Sequence, residues 1–187
     1  MIGGNLATNA GGIKFIKHNS MHANCVGLKA VLPDGRILDN MTTLRKDNTG
    51  YDLKHLFIGS EGTLGIITEC ALLCPPMLNN RHLAMLACDS WGGVLDVLKH
   101  AKSELSDLLQ AIEVMDSVSM ESVTSQNKAL KIKSPFDKDY PFYMLIEIAS
   151  KENDVLDNDT ENPTSDLDRF FQLFETADAH ILDGVVA

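Results

Sequence analysis

The stretch Ile58-Gly59-Ser60-Glu61-Gly62-Thr63-Leu64-Gly65-Ile66-Ile67-Thr68-Glu69-Cys70-Ala71-Leu72-Leu73-Cys74 decides how this chain is read: a glycine loop runs straight into an apolar segment. The run from Ile66 predicts a buried strand, and Pro75-Pro76 stops it, because proline cannot donate to a β-ladder. Glu61 lies between Gly59 and Gly62. A carboxylate there requires hydrogen bonds from backbone amides or from a ligand if it is buried; the plainer alternative is a side chain capping a turn. A domain boundary follows the prolines, where Met77 to Arg81 is turn-rich, which divides the chain into residues 1–77 and 78–187.

Upstream, Tyr51 to Phe57 has apolar residues at helical spacing, consistent with one or two turns. Residues 26–39 place Pro33-Asp34-Gly35 between two short apolar runs, which predicts a β-hairpin: proline fixes φ and glycine accepts the positive φ of a tight turn. Before it stands Gly3-Gly4-Asn5-Leu6-Ala7-Thr8-Asn9-Ala10-Gly11-Gly12, an uncharged segment that reads as a second loop. Such a loop is either a structural turn or a cradle, since glycine lets a flat or phosphorylated ligand approach the main chain while Asn5, Thr8 and Asn9 offer short polar arms. Neither the G-x-G-x-x-G spacing of a dinucleotide fold nor the Gly-Lys-Ser/Thr of a P-loop is present in it.

Downstream, strand and helix alternate. Leu83 to Cys88 predicts a strand, and Trp91 to Ser103 a helix with an apolar stripe at 91, 94, 95, 98 and 101. Leu108 to Val114 fits a strand leading to a helix capped by Asp116, or one continuous helix. Pro141 to Ala149 is the clearest strand of this half, Leu167 to Ala177 an amphipathic helix, and Ala179 to Val186 the start of a strand. Ser150 to Asp166 is acidic and poor in large apolar groups, the composition of a solvated loop. The fold class is α+β.

A net charge of −10 opposes binding to nucleic acid and to anionic lipid surfaces, and the dense basic stretches are short, Arg45-Lys46 and Lys128 to Lys133. No apolar run approaches the roughly 20 residues that span a bilayer. Cys25, Cys70, Cys74 and Cys88 read as buried free thiols rather than a disulfide framework or a metal site. The six histidines have no ligand-type spacing; His18 and His22 come nearest, in a segment read as an extended loop, so no metal ligand is assigned.

Taken together, Met-Ile-Gly-Gly-Asn-Leu-Ala-Thr-Asn-Ala-Gly-Gly at 1–12, Val-Leu-Pro-Asp-Gly at 31–35 and the run from Leu44 to Thr68 resemble the FAD-linked oxidases of the vanillyl-alcohol-oxidase type, with PCMH-type FAD-binding domains. Within that superfamily, Lys46-Asp47-Asn48-Thr49-Gly50-Tyr51-Asp52 resembles the D-2-hydroxyglutarate dehydrogenases more than the D-lactate dehydrogenases. Glu113-Val114-Met115-Asp116 and Pro141 to Glu147 are similar to the start of the family's substrate, or cap, domain.

The resemblance implies that residues 1–77 are the C-terminal part of the FAD-binding domain and 78–187 the beginning of the cap domain. It implies contacts to FAD from Gly3, Gly4, Asn5, Thr8, Asn9, Ala10, Gly11 and Gly12 on one loop and from Glu61, Gly62, Ile66 and Ile67 on the other. The implied reaction is oxidation of D-2-hydroxyglutarate to 2-oxoglutarate by hydride transfer to flavin, with an electron-transfer flavoprotein or quinone as acceptor and the mitochondrial matrix as location. A D-lactate or glycolate dehydrogenase, or a non-catalytic remnant serving as an interaction module, are the alternatives. A divalent metal, zinc, belongs to the full-length family; its histidine pair and the substrate-binding basic residues are expected beyond Ala187, and the first flavin subdomain before Met1. No catalytic residue is assigned, and the chain alone is expected to bind FAD weakly or not at all and to be inactive.

Overall fold

The hairpin forms where its turn chemistry puts it. In the computed structural model, which describes residues 1–126, 132–151, 165–176 and 180–186, β1 (Cys25–Val31) and β2 (Ile37–Asn40) pair antiparallel with Val31 opposite Ile37. Gly35 takes φ 84° and donates its N–H to the Leu32 carbonyl at 2.9 Å, while Asp34 accepts from the Arg36 amide at 3.1 Å. β3 (Ile66–Leu72) joins the other side of β1, giving a sheet of order β2-β1-β3.

Two glycines let the chain pack on this sheet. A Cβ on Gly27 would lie 2.5 Å from both the amide nitrogen and the carbonyl oxygen of Thr42, and one on Gly65 would lie 2.6 Å from the Val31 carbonyl. Leu6, Cys25, Leu28, Ala30, Phe57 and Ile58 form the core of this unit, which spans Met1–Pro76.

Three expectations are corrected here. The segment from Gly3 to Gly12 is not a loop throughout: Ile2–Thr8 is a helix, α1, ended by Asn9 in the left-handed conformation at φ 48°. Leu6, fully buried, supplies the reason, since burying a leucine is worth about 1.5–3 kcal/mol and outweighs the poor helix propensity of glycine. Gly3, Gly4, Gly11 and Gly12 therefore do not use positive φ. The strand from Ile66 is not buried: as the outer strand of its sheet, β3 leaves Ile66 70% exposed. The histidine segment is not extended; it folds into two single turns, α2 (Phe15–His18) and α3 (Met21–Asn24). The turn expected within 51–57 appears as α4 (Lys54–Phe57).

The second unit, Met77–Ala187, is built on a four-stranded antiparallel sheet. Its elements are β4 (Asn80–Cys88), α5 (Trp91–Glu104), β5 (Leu109–Asp116), α6 (Ser117–Gln126), β6 (Phe142–Ser150), α7 (Asp166–Thr176) and β7 (Ile181–Val186), with strand order β5-β6-β4-β7. The alternative left open at Leu108 to Val114 resolves as strand, paired along β6 from Leu109 opposite Ile148 to Asp116 opposite Phe142. Asp116 then caps α6, accepting from the Ser119 amide at 2.7 Å.

Ser90 caps α5 by accepting from the Gly93 amide at 3.1 Å. The face of α5 against the core is Gly93, Val94, Val97, Leu98 and Ala101, so the expected stripe holds at 94, 98 and 101 but not at Trp91 and Leu95, which are 54% and 40% exposed. Gly93 turns the helix: a Cβ there would lie 2.7 Å from His180 Cβ, so this side of the helix approaches the end of the sheet closely. Leu86, Met144, Ile146, Ile148, Phe170 and Leu173 complete a core without exposure. The acidic stretch expected at 150–166 falls mostly on residues outside those described, as does part of the basic stretch at 128–133.

Candidate functional site

The two glycine segments meet, backbone to backbone. The Gly59 amide donates to the Leu6 carbonyl at 3.0 Å and the Glu61 amide to the Ala7 carbonyl at 2.9 Å, so the second loop satisfies orphan carbonyls in the last turn of α1. Positive φ at Gly59, Glu61 and Gly62 makes this docking possible. Gly3 packs on β3, where an added Cβ would lie 3.1 Å from the Ile67 carbonyl.

Between α1 and β3 opens a cleft of about 600 Å³, largely apolar, in which Gly3 and Gly4 face Gly62, Ile66 and Ile67. A Cβ on Gly4 or Gly62 would meet no atom within 4 Å. Neighbouring atoms do not force Gly4, whereas Gly62 is required by its positive φ; at both, the wall is bare of side chains, the surface a planar ring or a close-approaching phosphate needs. The cleft's carboxylate, Glu69, accepts from Lys29 at 3.0 Å, and Lys29 also pairs with Asp39 at 3.2 Å. Its two acidic partners raise the Lys29 ammonium above the ordinary lysine range, and because Lys29 is shared between them Glu69 faces the cleft only partly offset.

Of the residues the sequence singled out, Gly3, Gly4, Gly62, Ile66 and Ile67 line this cleft and the others do not. Thr8 turns its hydroxyl back to the Gly4 carbonyl at 3.1 Å. Asn9 accepts from the His22 amide at 3.0 Å and so holds α3. Asn5 gives its carbonyl to the Asn9 amide. Ala10 and Gly12 line a separate hollow of about 350 Å³, and Gly11 lies over the Phe15 ring. Glu61 is exposed, so its carboxylate does not carry the burial penalty the sequence suggested. Sequence reading missed Thr68, Glu69 and Cys70 in the cleft, because it treated β3 as buried on both faces.

Two other sequence readings change. Cys25 and Cys88 are buried free thiols, but Cys70 is half-buried and Cys74 exposed. The histidines do meet: the ring of His22 stacks on that of His55 with centroids 3.8 Å apart.

Residues 77–183, most of the second unit, match the family described as FAD linked oxidases, C-terminal domain. The chain belongs to the FAD-linked oxidases. Over its whole length this FAD-linked oxidase chain is 41% identical to D-2-hydroxyglutarate dehydrogenase, mitochondrial, of Arabidopsis thaliana and 40% identical to the protein of that name in Rattus norvegicus, covering 32% of each. The chain thus spans about a third of the length of these curated relatives. Among solved structures, alkyldihydroxyacetonephosphate synthase superposes with a TM-score of 0.65 over 98% of this chain and 34% of that one, at 22% identity, a likeness of fold.

Proposed function

We propose that this chain supplies one wall of the flavin site, and the beginning of the substrate domain, of an FAD-dependent dehydrogenase that oxidises D-2-hydroxyglutarate to 2-oxoglutarate. The observation that carries the reading is the largely apolar cleft between α1 and β3, where Gly4 and Gly62 leave parts of the wall bare of side chains and open to a ligand. Residues 1–77 belong, in this reading, to a PCMH-type FAD-binding domain and 78–187 to the cap domain. Relatives that match this chain over its whole length and are named for D-2-hydroxyglutarate support the substrate, and the mitochondrial part of their names supports a matrix location.

FAD, when bound, supplies a two-electron acceptor for the hydrogen at C2 of the hydroxy acid. Gly3 and Gly4 would let the cofactor lie against the main chain of α1, while Ile66 and Ile67 exclude water from its other margin. Lys29 offsets Glu69 only in part, because it is shared with Asp39, so the cofactor's anionic portion is expected away from this end of the cleft. Among the described residues no three His, Cys, Asp or Glu converge to hold the divalent metal, and no step runs through one. An electron-transfer flavoprotein or a quinone is the proposed acceptor.

Titration of FAD into the purified chain, followed by quenching of flavin fluorescence, tests the site. Saturable quenching that Gly4→Leu weakens about tenfold, roughly 1.4 kcal/mol, is expected; quenching that Gly4→Leu leaves unchanged overturns it.

A further inference from the structure

A second cleft, of about 310 Å³ and polar, lies in the same unit where α3, the start of β1 and the segment from 40 to 55 meet; it shares no lining residue with the glycine cleft. His22 and His55 form its central feature, with ring planes 21° apart. Asn9 fixes one ring by accepting from the His22 backbone amide, and α4 carries the other. Two imidazoles stacked at 3.8 Å resist taking two protons, because like charges that close repel unless an anion compensates them.

The charges around the pair do not supply that anion. Asp52 lies 3.2 Å from His55 Nε2, but the same carboxylate oxygen pairs with Lys54 and is matched by it. Asp47 turns onto the Thr49 amide at 3.0 Å. Burial keeps the Cys25 thiol of β1 above the ordinary thiol range and therefore neutral. Arg45 lines the cleft, is exposed, and has no ion-pair partner among the described residues. His55 Nδ1 is buried without a hydrogen-bond partner. On a chain of net charge −10, this cleft is locally balanced, its two acids Asp47 and Asp52 offset by Arg45 and Lys54, with the guanidinium and the two stacked imidazoles lining one hollow.

We propose that this cleft is a proton-linked site for a small oxyanion, a carboxylate or phosphate group, held by Arg45 and the His22–His55 pair. Arg45 offers a planar fork of donors suited to either group. Burial first, then the neighbouring His22, hold His55 below the ordinary imidazole range; Lys54 acts in the same direction and Asp52 against it. An entering anion reverses this balance and raises the proton affinity of the pair. By reciprocity, acid tightens anion binding.

Histidine Cε1–H NMR of the whole chain, titrated with sulfate and separately with oxalate near pH 6 and near pH 8, tests the proposal; both probes stay dianionic across that range. Saturable movement of the His22 and His55 resonances, about fivefold tighter at the lower pH, is expected. Arg45→Gln, an exposed position, weakens binding about fivefold at both pH values, and His22→Gln removes the pH dependence. Saturation by sulfate alone assigns a phosphate group, by oxalate alone a carboxylate, and either supports the site. If neither probe at about 50 mM moves these resonances, or if Arg45→Gln leaves the movement unchanged, the proposal fails.

Discussion

Arg169 of α7 forks onto Asp107, its two terminal nitrogens 2.9 and 2.8 Å from the carboxylate oxygens, and one of them also donates to the Glu104 carbonyl at 2.7 Å. A single side chain thus ties α7 to the turn that ends α5. Arg169→Met is expected to lower stability by about 1 kcal/mol at neutral pH, the upper end for an exposed pair because the geometry is bidentate. The guanidinium holds Asp107 below the ordinary carboxylate range. A depressed folded pKa contributes stability above the unfolded value, near 4, and loses it as pH falls through the folded one. In urea unfolding, the gap between parent and variant should close from pH 6 towards pH 3.

Glycines of one unit divide into those forced by neighbours and those left open. Gly27→Ala places a Cβ 2.5 Å from backbone atoms of Thr42, which cannot move aside as a side chain would. We expect about 2–3 kcal/mol of destabilisation. Gly4→Ala, with open space around it, should leave the melting temperature unchanged or raise it slightly, since alanine is the better helix former by about 1 kcal/mol. Equal melting temperatures for the two variants would contradict this division.

Tyr143 is wholly buried, and its hydroxyl accepts from the Tyr140 amide at 2.8 Å. Tyr143→Phe strands that amide in the core, and the expected cost is about 1–2 kcal/mol in denaturant unfolding. Tyr140 itself donates to Asp183 at 2.8 Å. Burial and then the Asp183 carboxylate push its phenol up to about 12. Because the folded value is raised, this contribution is complete below the unfolded value near 10 and lost as pH climbs towards 12. Absorbance titration should show a late phenol that Tyr140→Phe removes.

Exposure ranks the thiols. Cys74 is exposed, whereas burial pushes Cys88 up to about 11 and also raises Cys25. A disulfide reagent added to the native chain should modify Cys74 first, with Cys25 and Cys88 reacting only after unfolding. Peptide mapping that finds Cys88 labelled early would contradict the packing around β4.

What could be read from the residues was what is decided locally. Pro33-Asp34-Gly35 sets its own turn, Asp116 caps the helix that follows it, and the dense apolar run of β6 reads as a strand. The helical state of Gly3 and Gly4 was hidden because Leu6 must find a core, and because the amides that cap its helix come from Gly59 and Glu61, far along the chain. The exposure of β3 was hidden for a related reason: the apolar run is the same for an inner strand and an outer one, and only the sheet order distinguishes them. Cleft residues such as Thr68 and Glu69 follow from that outer position. The contact between His22 and His55 depends on tertiary approach of α3 and α4, which no spacing records.

β3 borders the glycine cleft along Ile66 to Cys70 and is at the same time the outer strand of its sheet. An outer strand invites other strands to pair with it. A ligand that fills the cleft covers part of the same strand, so its occupancy would also shield that edge from pairing with other strands.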